Sequence, residues 1–328
     1  MEDVNKKQKI FEPLLMPSND RFVGQSKNYP EVAKMTDKLL SLFWAPNIIS
    51  LKQDVVDWGK MSDKERSVIK RIHAFFAAAD GIVNENIAGN FLARIQTSEH
   101  RSFYEAQIGN EVVHKITYAN IITTLVPNTA ELNELLGALD RDPIIKKKAA
   151  WAMKFMDPNG PLADQILAFA CVEGIQFCSS FLTIFYFKNR SLLPGVSNAN
   201  EYISRDESLH TIFATHTYLN DITERSTREV EIIQEAVDLE CEFVTDMLGE
   251  DGLPGFATKD VHQYVKMVAD RICRDIGIQP IYGAKNPFPF MDMINFETRK
   301  SFFERASTDY IGRGAIENDP ILVIDNSF

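Results

Sequence analysis

The chain has 328 residues, 45% of them hydrophobic and 25% charged, a balance that allows a large buried core in one domain or two. Its net charge of −11 at pH 7 argues against nucleic acid or an anionic membrane as the main partner. Four cysteines (Cys171, Cys178, Cys241, Cys273) form no C-x-x-C pair, and residues 1–7 lack the apolar run of a signal peptide, so a reducing, cytoplasmic location is expected.

Residues 1–35 are polar and interrupted by prolines, and read as an arm lying over the domain surface. A short helix is expected over 36–43, ended by Pro46. Ser62-Asp-Lys-Glu65 is a capping box, so a long helix should open there and run through Asp80 toward Arg94. A second should carry 99–125 and stop near Pro127. Two more are expected over 128–139 and 143–155, the latter capped by Asp142 with Pro143 in the first position. Residues 162–187 are the most apolar stretch. Its length would span a membrane, but Asp164, Glu173 and Gln176 interrupt it, and an acid at the midplane is costly. A buried central helix explains it better. Leu193-Pro-Gly195 closes that region and a helix over 200–219 follows. Ser226-Thr-Arg-Glu229 reads as another capping box, opening a helix that ends at Gly249; 258–276 is the last helix, stopped by Gly277. Asn286-Pro-Phe-Pro-Phe290 excludes helix, and residues 305–328 read as a mobile tail. Strand periodicity is missing, so the expected fold is all-α: an arm, a helical domain over 36–304, and the tail.

Two stretches carry the chemistry, Glu111-Val-Val-His114 and Glu207-Ser-Leu-His210, the only E-x-x-H sequences in the chain. On a helix this spacing puts carboxylate and imidazole on one face, about a turn apart, able to grip one ion. Mixed oxygen and nitrogen donors suit iron or manganese better than calcium or magnesium. Each motif follows a single acid in an apolar run: Phe76-Ala-Ala-Ala-Asp80-Gly-Ile82 and Phe169-Ala-Cys-Val-Glu173-Gly-Ile175. The acid precedes the motif by 31 residues in the first half and 34 in the second. Such a repeat is the mark of a pseudo-twofold four-helix bundle, and two acids plus two E-x-x-H motifs is the donor pattern of ferritin-like di-iron proteins. Asp80, Glu111, His114, Glu173, Glu207 and His210 are therefore the expected ligands of two metal ions, whose four positive charges four carboxylates would balance.

Tyr118 lies four residues after His114 and projects from the same helix face, where an oxidised di-iron centre could take its electron and leave a tyrosyl radical. Phe177 and Phe181, one and two turns beyond Glu173, would supply an apolar wall; simple core packing predicts the same placement.

These residues, with Phe43-Trp44, Ser50-Leu-Lys-Gln-Asp54, Val172-Glu-Gly-Ile175, Ile203-Ser-Arg-Asp-Glu-Ser-Leu-His210, Phe302-Phe-Glu-Arg and Asp309-Tyr310, give the chain a resemblance over nearly its whole length. It resembles the small, radical-generating subunit of class I ribonucleotide reductase. The resemblance implies an oxo-bridged pair of iron ions, with manganese also open, a radical on Tyr118, and a homodimer. It gives Trp44 and Asp206 a place on a radical-transfer route from His114, Tyr310 the relay into the large catalytic subunit, and Glu304 a place beside that relay. The last residues, Ile321 to Phe328, resemble the peptide that docks on the large subunit, a form suited to groove binding. Neither nucleic acid nor membrane is expected as a partner. Three other readings compete. An iron store shares the ligand logic but needs no tyrosine-bearing tail. A di-metal oxidase acting on an organic substrate of its own needs an access channel. A purely structural bundle leaves six buried polar residues in repeat order unexplained.

Overall fold

The computed structural model describes residues 11–23 and 28–291. Contacts divide the chain at Pro287 into two units, and every element named below belongs to the first. Of the second, residues 288–291 are described: 289–291 are helical, against the expectation that 286–290 excludes helix, because a first helical turn accommodates Pro289, and the rings of Phe288 and Phe290 lie at 5.6 Å. The elements in order are α1 (Pro30–Ser41), α2 (Lys52–Trp58), α3 (Asp63–Asn86) prolonged by a π-helical turn (Ile87–Phe91) into α4 (Leu92–Arg94), α5 (Ser98–Leu125), α6 (Thr129–Leu136), α7 (Ala138–Arg141) and α8 (Pro143–Lys154). Then come α9 (Leu162–Cys171), a second π turn (Val172–Gln176), α10 (Cys178–Asn189), α11 (Pro194–Asn220), α12 (Glu229–Leu248) and α13 (Thr258–Asp275). Three short 3-10 turns precede α2. Among the described residues the sole β feature is an isolated bridge, Leu253 to Phe256. The fold is all-α.

Local chemistry explains most helix starts. The Ser62 hydroxyl accepts from the Glu65 N–H while the Glu65 carboxylate accepts from the Ser62 N–H at 2.8 Å, a closed capping box for α3. Asn128 caps α6, and Asp142 accepts from the N–H groups of Ile144 and Ile145 ahead of α8. Gly277, at φ +79°, follows α13 in the left-handed conformation that glycine adopts without cost.

Four boundaries differ from the sequence expectation. Helix α1 begins at Pro30, across the expected arm boundary, because the carboxylate of Glu99 on α5 accepts from the N–H groups of Asn28 and Tyr29. Helix α11 begins at Pro194 and not at 200, because Asp54 of α2 accepts from Gly195 and Val196 N–H. Gly137 splits the expected helix over 128–139 into α6 and α7. Ser226 forms no capping box: its hydroxyl accepts from Arg228 N–H, and Glu229 instead binds the Tyr218 hydroxyl and Arg225. The expected tail, with Glu304, Tyr310 and residues 321–328, lies outside the described residues.

The apolar stretch Leu162–Asn189 is long enough to cross a membrane, yet 94% of its most apolar window is buried inside the protein. It is the central helix of the bundle, broken by the second π turn. Helices α11, α12 and α13 pack against it; α3 reaches it through Phe75 and Phe76 on Phe177 and Phe181, and α5 through Tyr104 on Phe169, while α5 packs on both α3 and α11. On α5 the buried face runs Tyr104, Gln107, Glu111, His114, Tyr118 and Ile121 at helical spacing, so the middle of this inward stripe is polar. That polar middle is where the bundle holds its site.

Candidate metal centre

The six acid and histidine residues of the repeat converge in the bundle core. Asp80 comes from α3, Glu111 and His114 from α5, Glu173 from the second π turn, and Glu207 and His210 from α11. Donor atoms of Asp80, Glu111 and His114 lie within 4.8 Å of one another, and so do those of Glu111, Glu173, Glu207 and His210. Glu111 is common to both groups. All six are buried, none more than 2% exposed.

Both imidazoles turn Nδ1 inward. His114 Nδ1 lies 3.3 Å from Glu111 and 3.1 Å from Glu207; His210 Nδ1 lies 3.2 Å from Glu111 and 2.9 Å from Glu207. The other nitrogen of His114, Nε2, faces Asp206 Oδ2 at 3.2 Å, the kind of outer carboxylate that fixes the tautomer of a metal-binding histidine. Gln107 donates to Glu173 Oε1 at 2.9 Å. Both oxygens of Asp80 and Oε2 of Glu173 find no donor among the described residues. Orphaned buried carboxylate oxygens are expensive, and their number here fits a pair of divalent cations.

The electrostatics point the same way. Burial, reinforced by Glu111, pushes Asp80 well above its ordinary range, and burial with Glu207 does the same to Glu173. Burial also opposes ionisation of Glu207, yet the neighbouring His210 and His114 pull it below its usual value. Burial works against a charged His210, but Glu207 and Glu111 raise it to about 9. This cluster is short of positive charge, which bound cations would supply.

Tyr118 is buried beside the centre, its hydroxyl without a hydrogen-bond partner among the described residues. Burial first, then the charges of Asp80, Glu207 and Glu111, push its phenol well above the ordinary value. Phe76 stacks on its ring at 4.8 Å and His73 meets it edge-on at 6.0 Å. Phe177 and Phe181 form the layer behind, reaching Phe76 at 5.7 and 5.1 Å.

On the other side Trp44 Nε1 donates to Asp206 Oδ2 at 2.9 Å, the same oxygen that faces His114. Asn110 donates to it as well, and Arg205 holds Oδ1. Although burial works against it, hydrogen bonding from His114 keeps Asp206 below the usual carboxylate range. Tyr202 stacks on the Trp44 indole at 5.1 Å. His73, Gln107, Asn110 and Tyr202 were not among the residues singled out from sequence, and Phe76 and Arg205 stood there only as letters of longer motifs with no role of their own. Gln107 and Asn110 had a signal, each standing four residues before a candidate ligand on α5. Phe76 had one too, as the first letter of the repeated motif. Tyr202 and Arg205 precede Glu207 by five and two residues, and nothing in that spacing marks them.

Comparison with known proteins places the whole chain. The family model described as ribonucleotide reductase, small chain, matches residues 21–287. The ribonucleoside-diphosphate reductase small subunit of Dictyostelium discoideum is 39% identical over 316 residues, 96% of this chain and 93% of that protein. The corresponding protein of Trypanosoma brucei brucei is 40% identical over 316 residues, 96% of this chain and 94% of its own length. Among solved structures, the ribonucleotide reductase Rnr4 homodimer of Saccharomyces cerevisiae aligns with a TM-score of 0.77 at 28% identity, covering 91% of this chain and 92% of that one. A buried two-fold carboxylate and histidine cluster, an all-α bundle and matches across almost the whole length converge, and the chain belongs to the ribonucleotide reductase small-chain family.

Proposed function

We propose that this chain, as a ribonucleoside-diphosphate reductase small subunit, generates a radical on Tyr118 and lends it to a separate large subunit that reduces ribonucleotides. The observation that carries the reading is the position of Tyr118: buried, its hydroxyl unpaired among the described residues, walled by Phe76 and His73, on the same face of α5 as Glu111 and His114. Asp80, Glu111 and His114 would hold one metal ion, and Glu173, Glu207 and His210, with Glu111 shared, the other. Bound there, two iron ions would activate O2 and supply the oxidising equivalent for Tyr118; manganese suits the same donors.

The surrounding residues do the rest. Burial and the charge of Asp80 keep the Tyr118 phenol protonated, so its oxidation must remove a proton together with the electron. Phe76, Phe177 and Phe181 keep water and reductants from the ring. His114, Asp206 and Trp44 form a continuous hydrogen-bonded path leading away from the centre, along which the oxidising equivalent would travel outward. Asp206 stays ionised and accepts from Trp44, which orients the indole. Tyr310, with Glu304 near it, would take up the relay, and the terminal residues from Ile321 to Phe328 would dock on the large subunit. The Rnr4 relative is a homodimer, and the exposed apolar Val112 and Ile116 of α5 suit a second copy of this chain. A cytoplasmic location fits a chain with four free cysteines.

The test is reconstitution of metal-free protein with Fe(II) and O2, then an assay of ribonucleoside diphosphate reduction with and without a large subunit. Turnover only with the large subunit, lost on deleting residues 321–328, supports the reading. Oxidation of an organic substrate by the small subunit alone would support the oxidase instead.

A further inference from the structure

Glu173 differs from the other five ligands in standing on a π turn, Val172–Gln176, and that turn is gripped from outside the cluster. Lys148 of α8 is 1% exposed. Its ammonium donates to the Gln176 carbonyl at 2.7 Å and to Glu240 Oε2 of α12 at 2.6 Å, and stands 3.6 Å from the Phe75 ring centre and 4.4 Å from that of Phe243. Glu240, fully buried, accepts the Ser179 N–H with its other oxygen at 3.3 Å. One buried ion pair thus holds backbone on both sides of Phe177, where the π turn gives way to α10. Across the turn, Gly174 lies so close to Thr211 and Ile272 that a Cβ there would come within 3.0 Å of both. The turn is pinned from two directions. A buried charged pair is seldom the most stabilising choice for such a place, since apolar side chains of similar size often do as well. What it offers here is directional hold on two backbone groups.

We propose that Lys148 and Glu240 are positioning residues for the metal centre: they fix the π turn that presents Glu173, and so set the affinity of the ion that Glu173 binds while leaving the ion of Asp80 and His114 alone. This rests on the two-metal reading above. Full-length metal-free protein is titrated with Mn(II), the free ion being counted by EPR, alongside urea unfolding of each variant. Wild type should bind two ions. Lys148→Met should bind one of them about tenfold or more weakly, the usual scale for supporting residues, and match the pattern of Glu173→Ala. The double variant Lys148→Met/Glu240→Met should recover stability through apolar packing yet keep the one-ion defect. Glu240→Gln, a gentler change, should show the same defect at smaller size. Lys147→Met, which breaks the exposed pair with Glu242 on the same two helices, should bind both ions normally. Two ions bound as in wild type by the folded double variant and by Glu240→Gln, or both ions weakened equally, overturns the proposal. A wild type that binds no pair of ions overturns the metal reading and the clamp with it.

Discussion

Helix α11 carries Asp206, Glu207 and His210, and its first turn is held by Asp54, which stands 141 positions before Gly195. Asp54 is fully buried and accepts from Gly195 N–H at 2.9 Å and Val196 N–H at 2.8 Å. Asp57 adds a bond from Leu193 N–H, and Leu193 itself sits at φ +54°, a left-handed conformation that costs energy for a residue with a side chain. Asp54→Ala removes both acceptors and leaves two buried donors unpaired, at about 1–3 kcal/mol each. Burial already pushes the Asp54 carboxyl above its ordinary range, so losing a charge that burial disfavours offsets part of that loss. The net expectation is a fall of about 3 kcal/mol in unfolding free energy, and about half of it for Asp54→Asn, which keeps one acceptor. Gly195→Ala should do comparable damage by another route, because its Cβ would lie 2.3 Å from the Ser50 carbonyl and 2.6 Å from Asp54. Urea unfolding of the metal-free protein at pH 7 measures all three. A loss under about 0.5 kcal/mol for Asp54→Ala, the range of ordinary surface changes, would refute the long-range cap.

Further outcomes follow from the same contacts. His73 is buried, burial lowers its pKa to about 4, and its Nδ1 faces the Ile69 carbonyl at 2.8 Å. The unfolded chain therefore takes up this proton first as pH falls, and stability is lost from about pH 6.5 down toward 4, by about 2.5 kcal/mol at pH 4.5. His73→Leu should remove that part of the pH dependence in urea unfolding; identical slopes would show that His73 is not held neutral. Gly81 has open space where a Cβ would go, so Gly81→Ala should be neutral or stabilise by up to about 1 kcal/mol, whereas Gly174→Ala should destabilise by about 1–3 kcal/mol. Equal thermal shifts for the two would contradict the packing described. Trp44→Phe deletes the bond to Asp206, and should leave radical formation intact while turnover with the large subunit disappears. Undiminished turnover would remove Trp44 from the route.

The six clustered acids and histidines were legible because two helical residues that are to share an ion must stand three or four apart, and the repeat set them in order. Capping was legible where it is local, as at Ser62 and Asp142. It was hidden where the acceptor comes from elsewhere in the sequence, as with Glu99 for α1 and Asp54 for α11. Ser226 shows the converse, a motif emptied because Tyr218 and Arg225 recruit Glu229. Both π turns were invisible, since one extra residue inserted in a continuous helical stretch leaves the local pattern still helical. The repeated glycine misleads as well: Gly174 is required by the approach of Thr211, and Gly81 by nothing within 4 Å. Lys148 closes a run of three lysines that reads as a solvated face; two of them are exposed and the third is buried against Glu240.

The most direct test of the central claim is an EPR spectrum of metal-free protein after adding Fe(II) and O2, with Tyr118→Phe in parallel and bound metal counted in both. The account predicts a tyrosyl signal in the wild type and none in the variant, with two ions bound to each. A signal that survives in Tyr118→Phe, or a wild type that holds two ions yet yields no radical with iron or manganese, would contradict it.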